Sequence, residues 1–482
     1  MTPPSQQNTN ARKLPIGWDV ILFFALYIIA PSYFAVEFHS SLPLITLSRA
    51  LLVAMTVMLA IRNRNRIFPL KKLQWNSLNS GLTSCKPLRW GLILYFALLL
   101  ISDMALFPAD KGESLKAIFV LLVEEYFLIW LLTMILDTRE KLLTALQVLA
   151  ISSGCVALLS ILGCIFDANP FHWLNTVERE MLMTTYYRLG ILRAEAGFGH
   201  PVYYGAFCAI MIPLIMYFLE HSPARWQRRL YAFVLSLNLI GLLLSNSRGS
   251  LLAFACLLAL VVFIRIIKKE FKAFLRTYIP VLVITLLMLA VVVAVLPYGL
   301  YFLSETLKSL VSVILPDLPP STESLLPTPT DPTIPTEPLP EYGENASGTR
   351  SRLIQLSGIL WTLQRNPLFG LGSNAHVRGL ISYEFLEGVW LPNATFDMGL
   401  VAIVCQFGIL GFIGYTALYG SFFFTTAAKK FRKDALMHHM GLSLVTYFLC
   451  LITISGLLKM EWVLFGMMVC LVNIINKEQS AT

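Results

Sequence analysis

The chain has 482 residues, 56% of them apolar and 13% charged, with a mean hydropathy of +0.69 and a formal net charge of +9. A water-soluble domain carries about 45–50% apolar and about 25% charged residues, so a soluble enzyme is excluded, and most of the chain is far too apolar to be disordered. Eight cysteines are scattered singly with no CxxC spacing, which indicates neither a disulfide frame nor a zinc site.

A membrane helix needs about 20 apolar residues. Twelve segments approach or reach that length, near 16–36, 41–61, 90–108, 116–136, 142–166, 200–220, 230–246, 250–267, 278–303, 396–420, 439–457 and 461–475. The first is long and many more follow, so it is expected to be a retained span and not a cleaved signal. An even count puts both termini on one side. With the termini inside, the inner loops hold Arg62, Arg64, Arg66, Lys71 and Lys72, then Arg225, Arg228 and Arg229, then Arg265, Lys268, Lys269, Lys272 and Arg276, then Lys429, Lys430, Arg432 and Lys433. That is the positive-inside pattern. The expected fold is an all-α integral membrane protein of about 12 transmembrane helices. Its parts are a cytoplasmic N-terminus over 1–15, nine spans over 16–303, a large outside loop over 304–395, three spans over 396–475 and a cytoplasmic C-terminus over 476–482.

Two outside connections are too long to be simple turns, 167–199 and 304–395. Within the second, 316–340 is rich in Pro, Thr and Ser and reads as an extended spacer. Residues 350–364 follow, with Leu353, Ile354, Leu356, Ile359, Leu360 and Leu363 at helical spacing. This predicts an amphipathic helix on the outer membrane face or capping the bundle.

The outside arginines run against the positive-inside trend, so each needs a reason: Arg188 and Arg193, then Arg248, then Arg350, Arg352, Arg365 and Arg378. A guanidinium forks two charge-assisted hydrogen bonds onto a phosphate, and several together suit a diphosphate. Three stretches carry them. In the first, Arg193, Glu195, Gly197, Gly199, His200 and Pro201 form a Gly-rich turn into span six, whose N-terminal dipole favours an anion. His200 is either a ligand contact or a helix-start residue. In the second, Ser245-Asn246-Ser247-Arg248-Gly249-Ser250 breaks the apolar run as a tight hairpin, either a capped turn or a site that aims Arg248 into the bundle. The third runs from Arg350 and Arg352 through Pro367, Gly370 and Gly372 to His376, Glu384, Asn393 and Asp397. Elsewhere, Arg49 in span two is either a site charge or the partner of an acid. Glu124 and Glu125 interrupt span four; being adjacent on a helix they point about 100° apart and read as polar contacts, not a carboxylate dyad.

In this order, the three stretches resemble the O-antigen ligase and O-antigen polymerase superfamily of bacterial membrane glycosyltransferases. The first is similar to that family's Arg-x-x-Gly-x-Phe-(Gly/Ala)-(His/Asn)-Pro pattern at Arg193, Phe198, Gly199, His200 and Pro201, with Ala196 where Gly is common. The second resembles its Ser-Arg-(Gly/Ala) turn at Ser247, Arg248 and Gly249. The third matches at Arg352, Pro367, Leu368, Gly370 and Gly372, followed by Gly408-Ile409-Leu410-Gly411 in the next span. The resemblance covers about residues 180–420. One departure stands out: ligases of this family commonly carry His-Asn before the span after the large loop, and many polymerases Asp-Asn, whereas here the pair is Pro392-Asn393.

The resemblance implies a metal-independent and cofactor-free inverting glycosyltransferase at the outer face of the cytoplasmic membrane. Its donor would be an undecaprenyl-diphosphate-linked glycan, its acceptor a glycan, lipid or cell-wall hydroxyl, and its surroundings membrane lipid; nucleic acid is not a partner. Arg193, Arg248, Arg350 and Arg352 would hold the diphosphate, with His200, Glu195, Arg188 and Arg49 as further substrate contacts. Asn393 and a general base would act on the acceptor. Among His376, Glu195, Glu384 and Asp397, His376 leads for the base because an unperturbed imidazole titrates near about 6.5. The missing pair histidine favours a polymerase or surface-glycan ligase over a lipopolysaccharide ligase. The alternative is a lipid-linked oligosaccharide flippase or other transporter, which would show internal repeats and mid-membrane charges in both halves.

Overall fold

A computed structural model describes residues 16–37, 44–62, 82–108, 111–177, 186–314, 354–373, 375, 378–386, 389–392, 398–454 and 458–480. In hydrocarbon a backbone must satisfy its own hydrogen bonds, and these apolar runs do so as helices. In chain order they are α1 (Trp18–Leu26), α2 (Leu47–Arg62), α3 (Lys86–Leu106), α4 (Lys111–Phe119) and α5 (Phe127–Ile135). There follow α6 (Arg139–Ile165), α7 (Pro201–His221), α8 (Arg225–Leu244), α9 (Arg248–Ile267), α10 (Phe271–Val295), α11 (Gly299–Ile314) and α12 (Ser357–Arg365). The last are α13 (Gly399–Ala427), α14 (Lys429–Arg432), α15 (Ala435–Cys450) and α16 (Leu458–Ser480). A π-helical stretch, Val120–Tyr126, joins α4 to α5 into one rod. Strands are confined to three short antiparallel hairpins among the described residues: β1 (Ala35–Val36) with β2 (Ile45–Thr46), β3 (Tyr187–Arg188) with β4 (Ile191–Leu192), and β5 (Ser382–Leu386) with β6 (Val389–Pro392). Tyr187 faces Leu192, and Glu384 faces Trp390.

The molecule is an all-α multi-pass membrane protein. Every predicted apolar segment falls on a helix, but eight helices among the described residues are long and apolar enough to cross a membrane. The expected count of twelve differs from eight for local reasons. The first segment forms only the nine-residue α1, because Pro31 lacks an N–H and biases its predecessor away from helix. Helices α2 and α15 have 16 residues each, and α8 opens on Arg225, Arg228 and Arg229. The ninth segment is split. Leu296, Pro297 and Tyr298, the last at φ 58°, end α10, and α11 then runs into the stretch expected to be loop.

Helices α7 and α16 form the centre, each 83% buried over its most apolar window, whereas α10 is 11% buried and lies at the rim. Close approach depends on small residues. A Cβ on Gly241 of α8 would strike the Tyr204 hydroxyl, and one on Gly205 of α7 would lie 2.5 Å from Ser245 Oγ. Several polar groups inside the bundle are paired. Arg49 Nε donates to Glu124 at 2.6 Å, Tyr95 donates to Glu125 at 3.0 Å, and Tyr447 donates to Glu461 at 2.8 Å. Thus Arg49 is the partner of an acid, and Glu124 and Glu125 take separate partners.

The bundle has two distinct ends. At the basic end, Arg265 bridges Glu220 and Glu270, and Arg139 bridges Asp434 and Glu478. At the other, here the loop face, the Ala194 N–H donates to Leu244 O at 3.1 Å, and Gly249 packs closely on Thr453.

Candidate active site at the loop face

The first arginine stretch begins with a hairpin. Leu189 and Gly190 both have positive φ, 55° and 75°, the conformation of a two-residue turn whose twist suits antiparallel strands. Beyond β4, the Arg193 N–H donates to Tyr186 O at 2.9 Å, which extends the pairing by one residue. The Arg193 side chain then crosses to the 245–248 turn. Its Nε donates to Ser245 O at 2.9 Å and its Nη2 to Asn246 O at 3.3 Å. Arg188 Nη1 donates to the same Asn246 O at 3.3 Å. Two arginines separated from this turn by over fifty positions therefore converge on it.

The turn is itself tightly held. Asn246 sits at φ 45°, and Ser245, Asn246 and Ser247 are buried. Ser247 caps α9, and its hydroxyl lies 3.0 Å from that of Ser250. Arg248 is the first residue of α9, half-buried, so Arg188, Arg193 and Arg248 are gathered around one turn. A guanidinium whose plane is set by carbonyls is pre-oriented, which suits recognition of a planar, bidentate anion.

His200 caps α7. Its Nδ1 accepts from the Val202 N–H at 3.1 Å, and its ring packs on Tyr186 at 4.5 Å. Burial, then the nearby Arg193 cation, lowers its pKa to about 4, so the ring is neutral and able to accept at neutral pH. Of the two readings open for His200, the geometry is that of the helix-start residue.

Glu195, expected as a substrate contact, is 2% exposed and faces inward. Its Oε1 lies 2.7 Å from His172 Nε2 and accepts from Asn169 Nδ2 at 2.8 Å. Neither His172 nor Asn169 stood out in the sequence. The available signal was the length of the 167–199 connection together with an Asn-Pro start, which here caps the 3-10 turn Pro170–Leu174.

The third stretch and the Gly408–Gly411 segment form one unit. Helix α13 is broken at Gly408, with φ 63° and ψ −154°. A break leaves helix carbonyls and N–H groups without partners, and residues 367–372 supply them. The N–H groups of Leu371 and Gly372 donate to Cys405 O and Gln406 O, each at 2.9 Å. In return, Ile409 and Leu410 donate to Pro367 O at 2.9 Å and Leu368 O at 3.2 Å. A Cβ on Gly370 or Gly408 would come within about 2.5 Å of the opposing backbone, so both must be glycine. Ser102 of α3 donates to Phe369 O at 2.7 Å, fastening the docked loop to the bundle. Beside it, α12 buries Gln355, Gly358 and Thr362, the first from the turn just before it, while Leu356 and Leu360 are exposed. The expected apolar stripe is therefore divided: Ile354 and Ile359 pack on the cluster around Tyr383, Val401 and Cys405, whereas Leu356 and Leu360 face away from it.

Arg350, Arg352, His376 and Asn393, with Asp397, lie outside the described residues. Among the described members of the third stretch, Arg378 Nη2 donates to Leu371 O at 3.4 Å, and the Glu384 N–H donates to Ser357 Oγ at 2.8 Å.

No curated protein matches the chain. The model of one family, described as O-antigen ligase, matches residues 232–416, a segment that contains the 245–248 turn, the 367–372 loop and the break at Gly408. Over that segment the chain is similar to the O-antigen ligase family.

Proposed function

We propose that the chain is a metal-independent, inverting glycosyltransferase that transfers or polymerises a glycan from undecaprenyl diphosphate at the outer face of the cytoplasmic membrane. The observation that carries this reading is the convergence of Arg188 and Arg193 on the turn that starts Arg248 and α9. Guanidinium groups held in place before the substrate arrives favour charge that develops on a departing diphosphate. They supply the positive charge that a metal would otherwise provide. Arg350 and Arg352 are assigned to the same diphosphate, and His376 and Asn393 to the acceptor side, on the sequence alone. The charge pattern of the loops orients the loop face outward.

The test uses purified protein in nanodiscs with an undecaprenyl-diphosphate-linked glycan and an assay for released undecaprenyl diphosphate. Release with lengthening of the lipid-linked chain, without added acceptor, identifies a polymerase. Release that requires a separate protein, lipid or wall acceptor identifies a ligase. Movement of the lipid between leaflets without release overturns the reading in favour of a flippase.

A further inference from the structure

We propose that His172 accepts the proton of the attacking hydroxyl and that Glu195 is the positioning residue that holds its ring for that task. The assignment rests on the glycosyl-transfer reading above.

Three observations carry it. The first is a graded exposure. The Glu195 side chain is 1% exposed and the His172 side chain 18%, so a buried carboxylate stands behind a partly exposed imidazole. The second is orientation. With His172 Nε2 at 2.7 Å from Glu195 Oε1, the hydrogen-bond network assigns the ring proton to Nε2 and the lone pair to Nδ1. Asn169 Nδ2 holds the carboxylate at 2.8 Å and ties the same corner to Ala196 O at 3.0 Å, while Tyr33 meets the imidazole edge-on at 6.1 Å. Glu195 Oε2 is buried with no hydrogen-bond partner among the described residues, so the carboxylate is not saturated by structural contacts. A nucleophile's base oriented by a third group is the general arrangement for activating a hydroxyl.

The third is placement. Glu195 lies two residues after Arg193, a separation of at most about 7 Å between Cα atoms. Asn169, Pro170, Arg193 and Glu195 line one narrow cleft. The charged and titratable groups around the pair are Arg193 from its own loop, Cys164 and Asp167 from the end of α6, Tyr33 from the segment after α1, and Tyr187 from β3.

In the step, the acceptor hydroxyl gives its proton to Nδ1 as its oxygen bonds to the anomeric carbon. The bond from that carbon to the diphosphate oxygen breaks, and its electron pair leaves with the diphosphate. Nδ1 then returns the proton to water.

The experiment uses the full chain in nanodiscs with the lipid-linked glycan, and reads undecaprenyl diphosphate release. His172→Gln is expected to lower kcat by about 10²- to 10⁴-fold with KM within a few-fold of wild type. His172→Gly is expected to regain part of its activity on addition of imidazole, which a merely structural histidine would not show. Glu195→Asp is expected to keep more of kcat than Glu195→Gln. Should His172→Gly fail to insert, the kcat and KM of His172→Gln decide alone. An active wild type with His172→Gln turning over within a few-fold of it overturns the assignment, as does loss confined to His376→Gln. A wild type that releases no diphosphate from any authentic glycan removes the glycosyl-transfer reading itself, and the assignment with it.

Discussion

Arg193 illustrates how one side chain serves both architecture and recognition. Its Nε and Nη2 brace the carbonyls of Ser245 and Asn246, so its loss both loosens the turn and removes a charge from the site. We predict that Arg193→Ala and Arg248→Ala each lower diphosphate release by about 10²-fold or more while the protein still inserts. Lysine cannot reproduce a planar fork, so Arg193→Lys should remain far below wild type. Near wild-type turnover in both alanine variants would exclude a diphosphate clamp.

His200 gives a pH prediction with a definite sign. Its pKa is about 4 in the fold, against 6.5 for the free side chain. Between those values the unfolded chain binds a proton that the folded chain refuses. The stabilisation from the neutral cap is therefore complete above about pH 6.5 and is lost as pH falls towards about 4. His200→Asn keeps a cap acceptor that does not titrate. Thermal unfolding followed from pH 7 to pH 4 should show a steeper loss in wild type than in His200→Asn; parallel curves would refute it.

Among elements, the broken α13 is the most specific construction. Gly408 has a backbone conformation open almost solely to glycine, and residues 367–372 repair the hydrogen bonds that the break exposes. We predict that Gly408→Ala costs about 1–3 kcal/mol from backbone strain alone. The clash with Leu368 O adds to that cost. Unfolding temperature in detergent, with protease sensitivity of the 367–372 loop, would measure it. A variant as stable and as protected as wild type would mean that the loop is not held by the break.

A second element-scale prediction concerns Glu461, whose carboxylate accepts from Tyr419 at 2.5 Å and from Tyr447 at 2.8 Å. Glu461→Ala leaves two buried hydroxyls without an acceptor, at about 1–3 kcal/mol each, whereas Glu461→Gln keeps one acceptor oxygen and should cost less. Equal unfolding temperatures for the two variants would contradict this.

At the scale of the whole molecule, the two ends differ in kind. The basic end is closed by ion pairs among Arg139, Asp434 and Glu478, and among Arg265, Glu220 and Glu270. The loop face instead gathers arginines around backbone carbonyls. The Pro-rich segment between the two halves has a composition unsuited to a packed core, so deleting 318–338 should leave turnover within a few-fold of wild type, as measured by diphosphate release; complete loss would make it part of the site.

Much of this was legible in the amino-acid order. Hydropathy alone places a helix on every apolar segment and marks the class, because lipid leaves the backbone few other choices. The positions of Arg193, Arg248 and the 367–372 glycines were likewise readable, since turns and caps are written in local residue types. Three features were settled only by tertiary packing. Arg188 and Arg193 reach the 245–248 turn, residues 367–372 fill a break in a helix more than thirty positions on, and His172 meets Glu195 beneath Tyr33. Each joins groups distant in the chain, and nothing in a local pattern says which loop will satisfy which exposed carbonyl, N–H or carboxylate. That is decided by how the spans pack and which polar groups they leave to be paired at their ends.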